Sequence, residues 1–304
     1  MNAIDLFAGI GGNTEAAKMA GLDVVWAANH NPIAVEFHSL NHPEAIHSCQ
    51  DLQQADWSQV PAHNFGIASP CCQGHTDARG KEGPHHHKSR STAWAPVSCW
   101  EYHRPEVFLI ENVPKFLNWK LFPQWKSCFE SLGYSLSINT FDAADSGVPQ
   151  NRERVFIIGT QSKNPIEISI PKRPHVGVNS IIEWDYARWS LIEKPGRAAA
   201  TLERVKNGRK RFGDRFVMPY YKSGSGKTGR CLSRPIGTIT TKDRWAVVDG
   251  DKMRMLNINE YRKAMSFGDH IKLPKTRTPA IQLLGNATCP VQVRDVLKAV
   301  KKAI

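Results

Sequence analysis

The sequence contains no stretch of about 18 consecutive apolar residues, so it offers no membrane-spanning helix. It opens on MNAIDLFAGIGG, a strand-like run with no basic segment before it, and no secretory signal is expected. Cysteine is sparse and poorly spaced for scaffolding. The seven cysteines, an odd number, stand at 49, 71, 72, 99, 128, 231 and 289, and none forms a CxxC or a zinc-like spacing. A disulfide framework fits badly, and a reduced, cytoplasmic setting is expected instead. No metal site is expected either. The triplet His85 to His87 is the one low-complexity feature, and consecutive residues rarely converge on one ion. Acid is in short supply: Lys and Arg number 40 against 28 Asp and Glu, a formal charge of +12 with a pI near 9.4. Such an excess favours a polyanionic partner, whose counterions are released when its phosphates are neutralised.

What is present suits a soluble globular protein, with 41% hydrophobic and 22% charged residues. A chain of 304 residues can bury the core of one large domain and a smaller one. Through residue 160, strand-like and helix-like segments alternate. Ala3 to Phe7, Asp23 to Ala28, Phe65 to Ala68, Val107 to Ile110 and Val155 to Gly159 read as short apolar strands. Helices are expected from Thr14 to Ala20 and from Pro32. This alternation predicts a mostly parallel, doubly wound α/β sheet. From 161 to 249 prolines, glycines and basic residues rise, as in RVKNGRKRFGDR and YYKSGSGKTGR, and a smaller, largely β domain is expected. Helical periodicity returns at Asn259 to Met265 and Val291 to Ala303, assigning 250–304 to the large domain with 1–160.

Four segments carry chemistry. Asp5 to Gly12 (DLFAGIGG) sits where the first strand meets the first helix, and its glycines allow close backbone approach to a ligand. A dinucleotide dehydrogenase would place an acid at the end of the second strand. Here that strand runs into Asn29-His30-Asn31, which counts against a dehydrogenase. Asp51, beside Leu52, could accept a hydrogen bond from an adenine amino group or simply begin a loop. Ser69-Pro70-Cys71-Cys72-Gln73-Gly74 follows an apolar strand and opens a long polar loop, a suitable place for a nucleophile. Glu111 ends the strand Phe108 to Ile110. Arg152 and Arg154 alternate with Glu153, so both point to one face of an extended segment.

Taken together, DLFAGIGG, SPCCQGHT, ENV, QNRER and LLGNATCPVQV resemble the DNA cytosine carbon-5 methyltransferases, in the family's order and across almost the whole chain. SRSTAW and RPIGTITTKDRWAVV are similar to its phage and prophage branch. The resemblance implies a Rossmann-like S-adenosylmethionine-dependent methyltransferase sheet with a small target-recognition domain at 161–249. It implies Cys72 as nucleophile, Glu111 on ring nitrogen 3 and the exocyclic amine, and Arg152 and Arg154 orienting the base and the nucleophile loop. For the cofactor it implies Phe7 on the adenine ring, Ile10 and Gly12 beside the methionine portion, Asp51 and Leu52 at the adenine, and Asn286 closing the site. It further implies double-stranded DNA as substrate, a cognate restriction endonuclease as a partner elsewhere in the cell, and a monomer in a bacterial or phage-infected cell. Lys81, Lys88, Arg79 and Arg90 are expected to meet phosphates, as are Arg209, Lys210, Arg211, Lys222 and Lys227 of the middle region.

The chain departs from the family pattern in three places. Cys71 stands where a proline is usual. The register with Cys71 as nucleophile would misplace Gln73 and the loop after it, so Cys72 is preferred. Asn29 replaces the usual ribose-binding Glu, with His30 in place of an aromatic neighbour. His75 and Thr76 replace an aromatic-Ser pair. An RNA substrate and a DNA-binding protein without catalysis are the competing readings. The basic middle segment speaks against the first, and the presence of Cys72, Glu111, Arg152 and Arg154 against the second.

Overall fold

The structure is a computed structural model that describes residues 1–72, 74, 89–220 and 229–304. The expectations for Gln73, His75, Thr76, Arg79, Lys81, His85 to His87, Lys88, Lys222 and Lys227 lie outside the described residues.

Short apolar runs form the large sheet: β1 (Asn2–Leu6), β2 (Asp23–Asn29), β3 (Ile46–Cys49), β4 (Phe65–Ala68), β5 (Val107–Asn112), β6 (Ser135–Asp142) and β7 (Glu153–Thr160). Their order is β3-β2-β1-β4-β5-β7-β6, with β7 antiparallel to both its neighbours and the first five strands parallel. The central strand β5 is buried along its whole length and carries no polar alternation, as a strand covered on both faces requires. Val107 and Leu109 face one apolar cluster with Phe156 and Ile158, while Phe108 and Ile110 face the other with Val155 and Ile157.

The helices α1 (Gly12–Met19), α2 (Pro32–Asn41), α3 (Trp94–His103) and α4 (Phe122–Ser131) alternate with these strands. Pro32 sits in the first turn of α2, where its missing N–H is harmless, and the Asn31 side chain accepts the Ile33 N–H at 3.0 Å. On one face α1 packs with the C-terminal helix α8 (Pro290–Ala303) through Ala16, Ala17, Val293, Val296 and Val300. The C-terminal segment therefore returns to the large sheet.

The middle region forms a second, antiparallel sheet of β8 (Ser190–Leu191), β9 (Arg215–Pro219), β10 (Trp245–Asp249) and β11 (Lys252–Met255), ordered β8-β11-β10-β9. It also holds α5 (Ala199–Phe212), a helix that the region's composition does not announce. Gly208 lets α5 lie directly on the Phe216 ring of β9. Beyond β11 the chain re-enters through α6 (Ile258–Ala264), opened by a reciprocal capping box between Asn257 and Glu260. Glu260 also pairs with Arg254 of β11 at 2.6 Å, both fully buried, which locks the small sheet to the returning helix.

Two features brace the large sheet. In register across β4, β5 and β7 lie Gly66, Phe108 and Gly159. The two glycines make room for aromatic rings lying flat on the sheet: Phe108 covers Gly159, and Trp100 covers Gly66 while stacking on Phe108 at 4.2 Å. The second feature is a buried polar chain behind the glycine-rich turn. Asn13 Nδ2 and Thr14 Oγ1 donate to the two oxygens of Asp5 at 3.2 and 2.9 Å. Thr14 Oγ1 is also 3.0 Å from His38 Nε2, and His38 Nδ1 lies 2.8 Å from His47 Nε2. Burial pushes Asp5 up to about 7, against the pull of its bonds to Asn13 and Thr14, and drives His38 down to about 2.

Replacing Gly159 with Ala would force a Cβ into the Phe108 ring and is expected to cost about 1–3 kcal/mol. Urea unfolding should show a lower midpoint with an unchanged slope. Folded Asp5 holds a proton that the unfolded chain releases above 3.8. The stability it confers is complete below that pH and is lost as pH rises to about 7, by roughly 4 kcal/mol at most. Asp5→Asn should therefore gain melting temperature relative to wild type at pH 8 more than at pH 5. Parallel melting curves across that range would exclude this assignment.

Candidate active site

Ligand crevices in open α/β sheets form at the carboxyl ends of parallel strands, where the strand order reverses. Here the reversal lies between β1 and β4. The turn after β1 carries Phe7 and Gly9, the end of β2 carries Asn29, the segment after β4 carries Cys71 and Cys72, and the end of β5 carries Glu111. Antiparallel β7 starts at this same edge, which brings Arg152 and Arg154 there as well. One cavity of about 400 Å³ is lined by Phe7, Asn29, His30, Cys72, Glu111, Arg152, Arg154 and Asn286, among others. Eight of the twelve residues expected from the sequence thus meet around one space.

The remaining four are not part of its lining. Ile10 is fully buried in the apolar cluster that joins the large sheet to the hinge before β10. Gly12 touches the returning segment, where a Cβ would stand 2.6 Å from the Thr288 carbonyl oxygen. Leu52 is buried in the core against which Phe7 packs. Asp51 is exposed, and its carboxylate accepts the Gln53 N–H at 3.1 Å to cap a 3₁₀ turn. It does what a loop-initiating Asp does, with one oxygen left over.

The cavity wall has fixed partners. Arg154 Nε pairs with Glu111 Oε1 at 2.9 Å, with both side chains about nine-tenths buried. Glu153 between the arginines is exposed, so the alternation expected from the sequence is present. Arg152 is spread over three carbonyls: Nη1 donates to Ile239 O at 2.9 Å, and Nη2 to Gly285 O at 3.1 Å and Ala287 O at 2.7 Å. Desolvation lowers it to about 10. Asn112 Nδ2 donates to Pro70 O at 3.0 Å and fixes the chain entering the cysteine pair. Burial pushes the Cys72 thiol up; Arg154 and Arg152 oppose this, and Glu111 and Cys71 add to it.

The wall of the cavity formed by the ends of β1 and β2 shows a strained backbone and a used amide. Phe7 adopts φ 62, an uncommon conformation for a side chain of this size, and its half-buried ring borders the cavity beside Gly9. An aromatic face there suits a purine. Asn29 Oδ1 accepts the Asn31 N–H at 2.9 Å, which leaves its amide N–H groups as donors toward the cavity.

Sequence reasoning missed several lining residues. Ser69 is held by Asn13 Nδ2 at 3.0 Å, and Thr241 and Gln282 come from distant parts of the chain. Thr241 comes from the segment before β10, within the family-like stretch RPIGTITTKDRWAVV, and Gln282 from helix α7 (Arg277–Asn286), where no local pattern marks it. Gly285 is the crossing point, since a Cβ there would collide with the Thr240 backbone. Thr241 and Gln282 also border a second cavity of about 660 Å³, which carries Lys242, Arg244 and Arg277, the last paired with Asp243 at 2.6 Å. Among the middle-region cations, Lys210 and Arg211 are exposed, whereas Arg209 is tied to Asp251 at 2.9 Å.

Comparison with known proteins agrees with this geometry. A family model described as C-5 cytosine-specific DNA methylase matches residues 1–302. The type II methyltransferase M.BsuFI of Bacillus subtilis is 26% identical over 309 residues, covering 99% of this chain and 72% of the relative. M.NlaX of Neisseria lactamica is 24% identical, covering 99% of this chain and 96% of its own. Among solved structures, a chain described as a DNA modification methyltransferase encoded within an E. coli prophage superposes with a TM-score of 0.73. Its identity is 20%, and 100% and 99% of the two chains are covered. A Spodoptera frugiperda DNMT2 variant superposes with a TM-score of 0.75 at 19% identity, with 99% of each chain covered, so these two likenesses concern the fold. With the match running over nearly its full length, the chain belongs to the C-5 cytosine-specific DNA methylases.

Proposed function

We propose that this chain methylates carbon 5 of cytosine in duplex DNA, with Cys72 attacking carbon 6. The observation that carries the reading is the meeting of Cys72, Glu111, Arg152 and Arg154 with Phe7, Asn29, His30 and Asn286 around one cavity.

The chemistry accounts for the residue types. Carbon 5 of cytosine is a poor nucleophile until a thiolate adds at carbon 6 and ring nitrogen 3 takes up charge. The Cys72 thiol gives its proton to solvent, and the thiolate forms the sulfur–carbon bond at carbon 6 as the carbon 5–carbon 6 double bond breaks. Glu111, held by Arg154, faces ring nitrogen 3 and the exocyclic amine and supplies the acid there. Arg154 then stands beside both the carboxylate and the base oxygen, while Arg152 keeps the wall in place through its carbonyl contacts. S-adenosylmethionine, when bound against Phe7 with its ribose near Asn29 and His30, supplies the methyl group. Loss of the carbon-5 proton to solvent then re-forms the carbon 5–carbon 6 double bond and expels the thiolate, and ring nitrogen 3 returns its proton to Glu111. The target atom is stacked inside a duplex, so the base enters the cavity by leaving the helix.

In the same reading, 161–249 with the second strand of the β10–β11 hairpin forms the target-recognition domain, closing over 1–160 and the returning C-terminal segment. The exposed Lys210 and Arg211 of α5, and Lys242 and Arg244 beside the second cavity, supply phosphate contacts. The protein acts as a monomer, in a cell where a cognate restriction endonuclease is the natural partner activity. Among the described residues no helix is long and apolar enough to cross a membrane.

The reading is tested by methyl transfer from labelled S-adenosylmethionine to mixed-sequence duplex DNA and to RNA. Label on carbon 5 of DNA cytosine, abolished in Cys72→Ser and kept in Cys71→Ser, is expected. Transfer to RNA alone, or loss in Cys71→Ser with retention in Cys72→Ser, would refute it. Because burial raises the Cys72 thiol above its ordinary 9.0, little thiolate exists at neutral pH. Site-resolved alkylation of Cys72 should accelerate about tenfold per pH unit from neutrality upward. No plateau is expected below pH 9.0, and a plateau there would mean that Arg154 and Arg152 outweigh burial.

A further inference from the structure

Cys71 and Gly74 flank the proposed nucleophile, and both are tied to one short segment, 89–92, on the far side of residues 75–88. The Cys71 N–H donates to Thr92 Oγ1 at 3.0 Å. The Gly74 N–H donates to Ser89 Oγ at 3.0 Å, and Arg90 Nη1 donates to the Gly74 carbonyl at 3.1 Å. The Ser89 hydroxyl lies 3.1 Å from Cys71 Sγ and 3.4 Å from the Cys71 carbonyl oxygen. Thr92 Oγ1 donates in turn to Ser89 O at 2.8 Å, so its single proton and one lone pair are both engaged.

The segment that makes these bonds is itself anchored. Ala93 is buried, and its carbonyl accepts the indole N–H of fully buried Trp125 at 2.7 Å. Asn112 holds Pro70 from the strand side. The chain is thus pinned at 70, 71 and 74, and Cys72 lies between the pins.

A proline at 71 would restrain φ by its ring and have no N–H to satisfy. Cysteine at 71 brings a donor that needs an acceptor, and Thr92 provides it. We propose that Thr92 and Ser89 are positioning residues for Cys72, replacing a covalent restraint of the backbone with hydrogen bonds from across the loop. The inference rests on the reading of Cys72 as the attacking atom. Neither side chain lines the cavity, so both act through the backbone of 71 and 74. Because a nucleophile misplaced by about 1 Å loses on the order of a hundredfold in rate, an error transmitted through these bonds falls on kcat.

The test compares full-length wild type, Thr92→Val, Thr92→Ser and Ser89→Ala in methyl transfer to duplex DNA, with melting temperature measured alongside. Thr92→Val keeps the shape and removes the acceptor. It is expected to lower kcat about tenfold or more, leave KM for S-adenosylmethionine and DNA within twofold, and be rescued by Thr92→Ser. Ser89→Ala carries the same expectation alone should Thr92→Val fail to fold. The double variant should lose less than the product of the single losses, because both bonds serve one restraint. Wild-type kcat in Thr92→Val overturns the proposal, as does an equal loss in Thr92→Ser or a loss confined to KM. If wild type is active and depends on Cys72, such a result removes this inference alone. If wild type transfers no methyl group to cytosine, the reading of Cys72 falls and takes the inference with it.

Discussion

Arg152 is the point on which the assembly of the site depends. Its guanidinium is almost completely buried and, among the described residues, is paired with no carboxylate and bonded to three backbone carbonyls from two remote stretches of chain. A buried cation left without partners is costly, so these carbonyls must stay where they are for the charge to be tolerated. Ile239 belongs to the hinge leading into β10, and Gly285 and Ala287 belong to the end of α7 and the turn after it. One side chain therefore ties the large sheet to the segment leading into β10 of the small sheet and to the segment that lines the cavity with Asn286. A lysine also has three donors, but all on one nitrogen, so it lacks the planar fork with which Arg152 serves Ile239 O from Nη1 and Gly285 O and Ala287 O from Nη2.

Around that clasp the electrostatics divide cleanly. Arg154 is paired with Glu111, Arg277 with Asp243 and Arg209 with Asp251. The net charge of +12 is thus not a uniform coat. Part of the cationic surplus is committed to structure, and part stands exposed on α5 and beside the second cavity. A polyanion would meet the uncommitted share. The cavity itself is a mixed environment in which burial raises the thiol while two guanidinium groups pull it back. Cys72, Glu111 and Arg154 meet because antiparallel β7 delivers its first residues to the edge where the parallel strands end.

Much of this could be read before the structure. The alternating apolar runs announce β1, β2, β4, β5 and β7, and Pro32 marks a helix start from neighbours only a few residues away. Cys72, Glu111, Arg152 and Arg154 stand out because each adjoins a strand end. The short strand β3, with its exposed Ile46, and the polar strand β6 leave weaker traces. Helix α5 is hidden in a basic stretch whose composition suggests loop, and only the contact of Gly208 with Phe216 explains why it forms a packed element.

The sequence by itself determined the order of the strands and turns, the glycine-rich bend after β1, and the chemical identities available at each strand end. These depend on backbone preferences and on periodicity within a few residues. The tertiary structure alone decided that Arg154 would pair with Glu111 and that Arg152 would serve carbonyls. It also decided that Thr92 would hold the backbone before Cys72. Each of these is a hydrogen bond between groups far apart along the chain. Its existence follows from the path of the backbone through the sheet and from the cost of leaving a buried donor unpaired, neither of which is written in any local pattern.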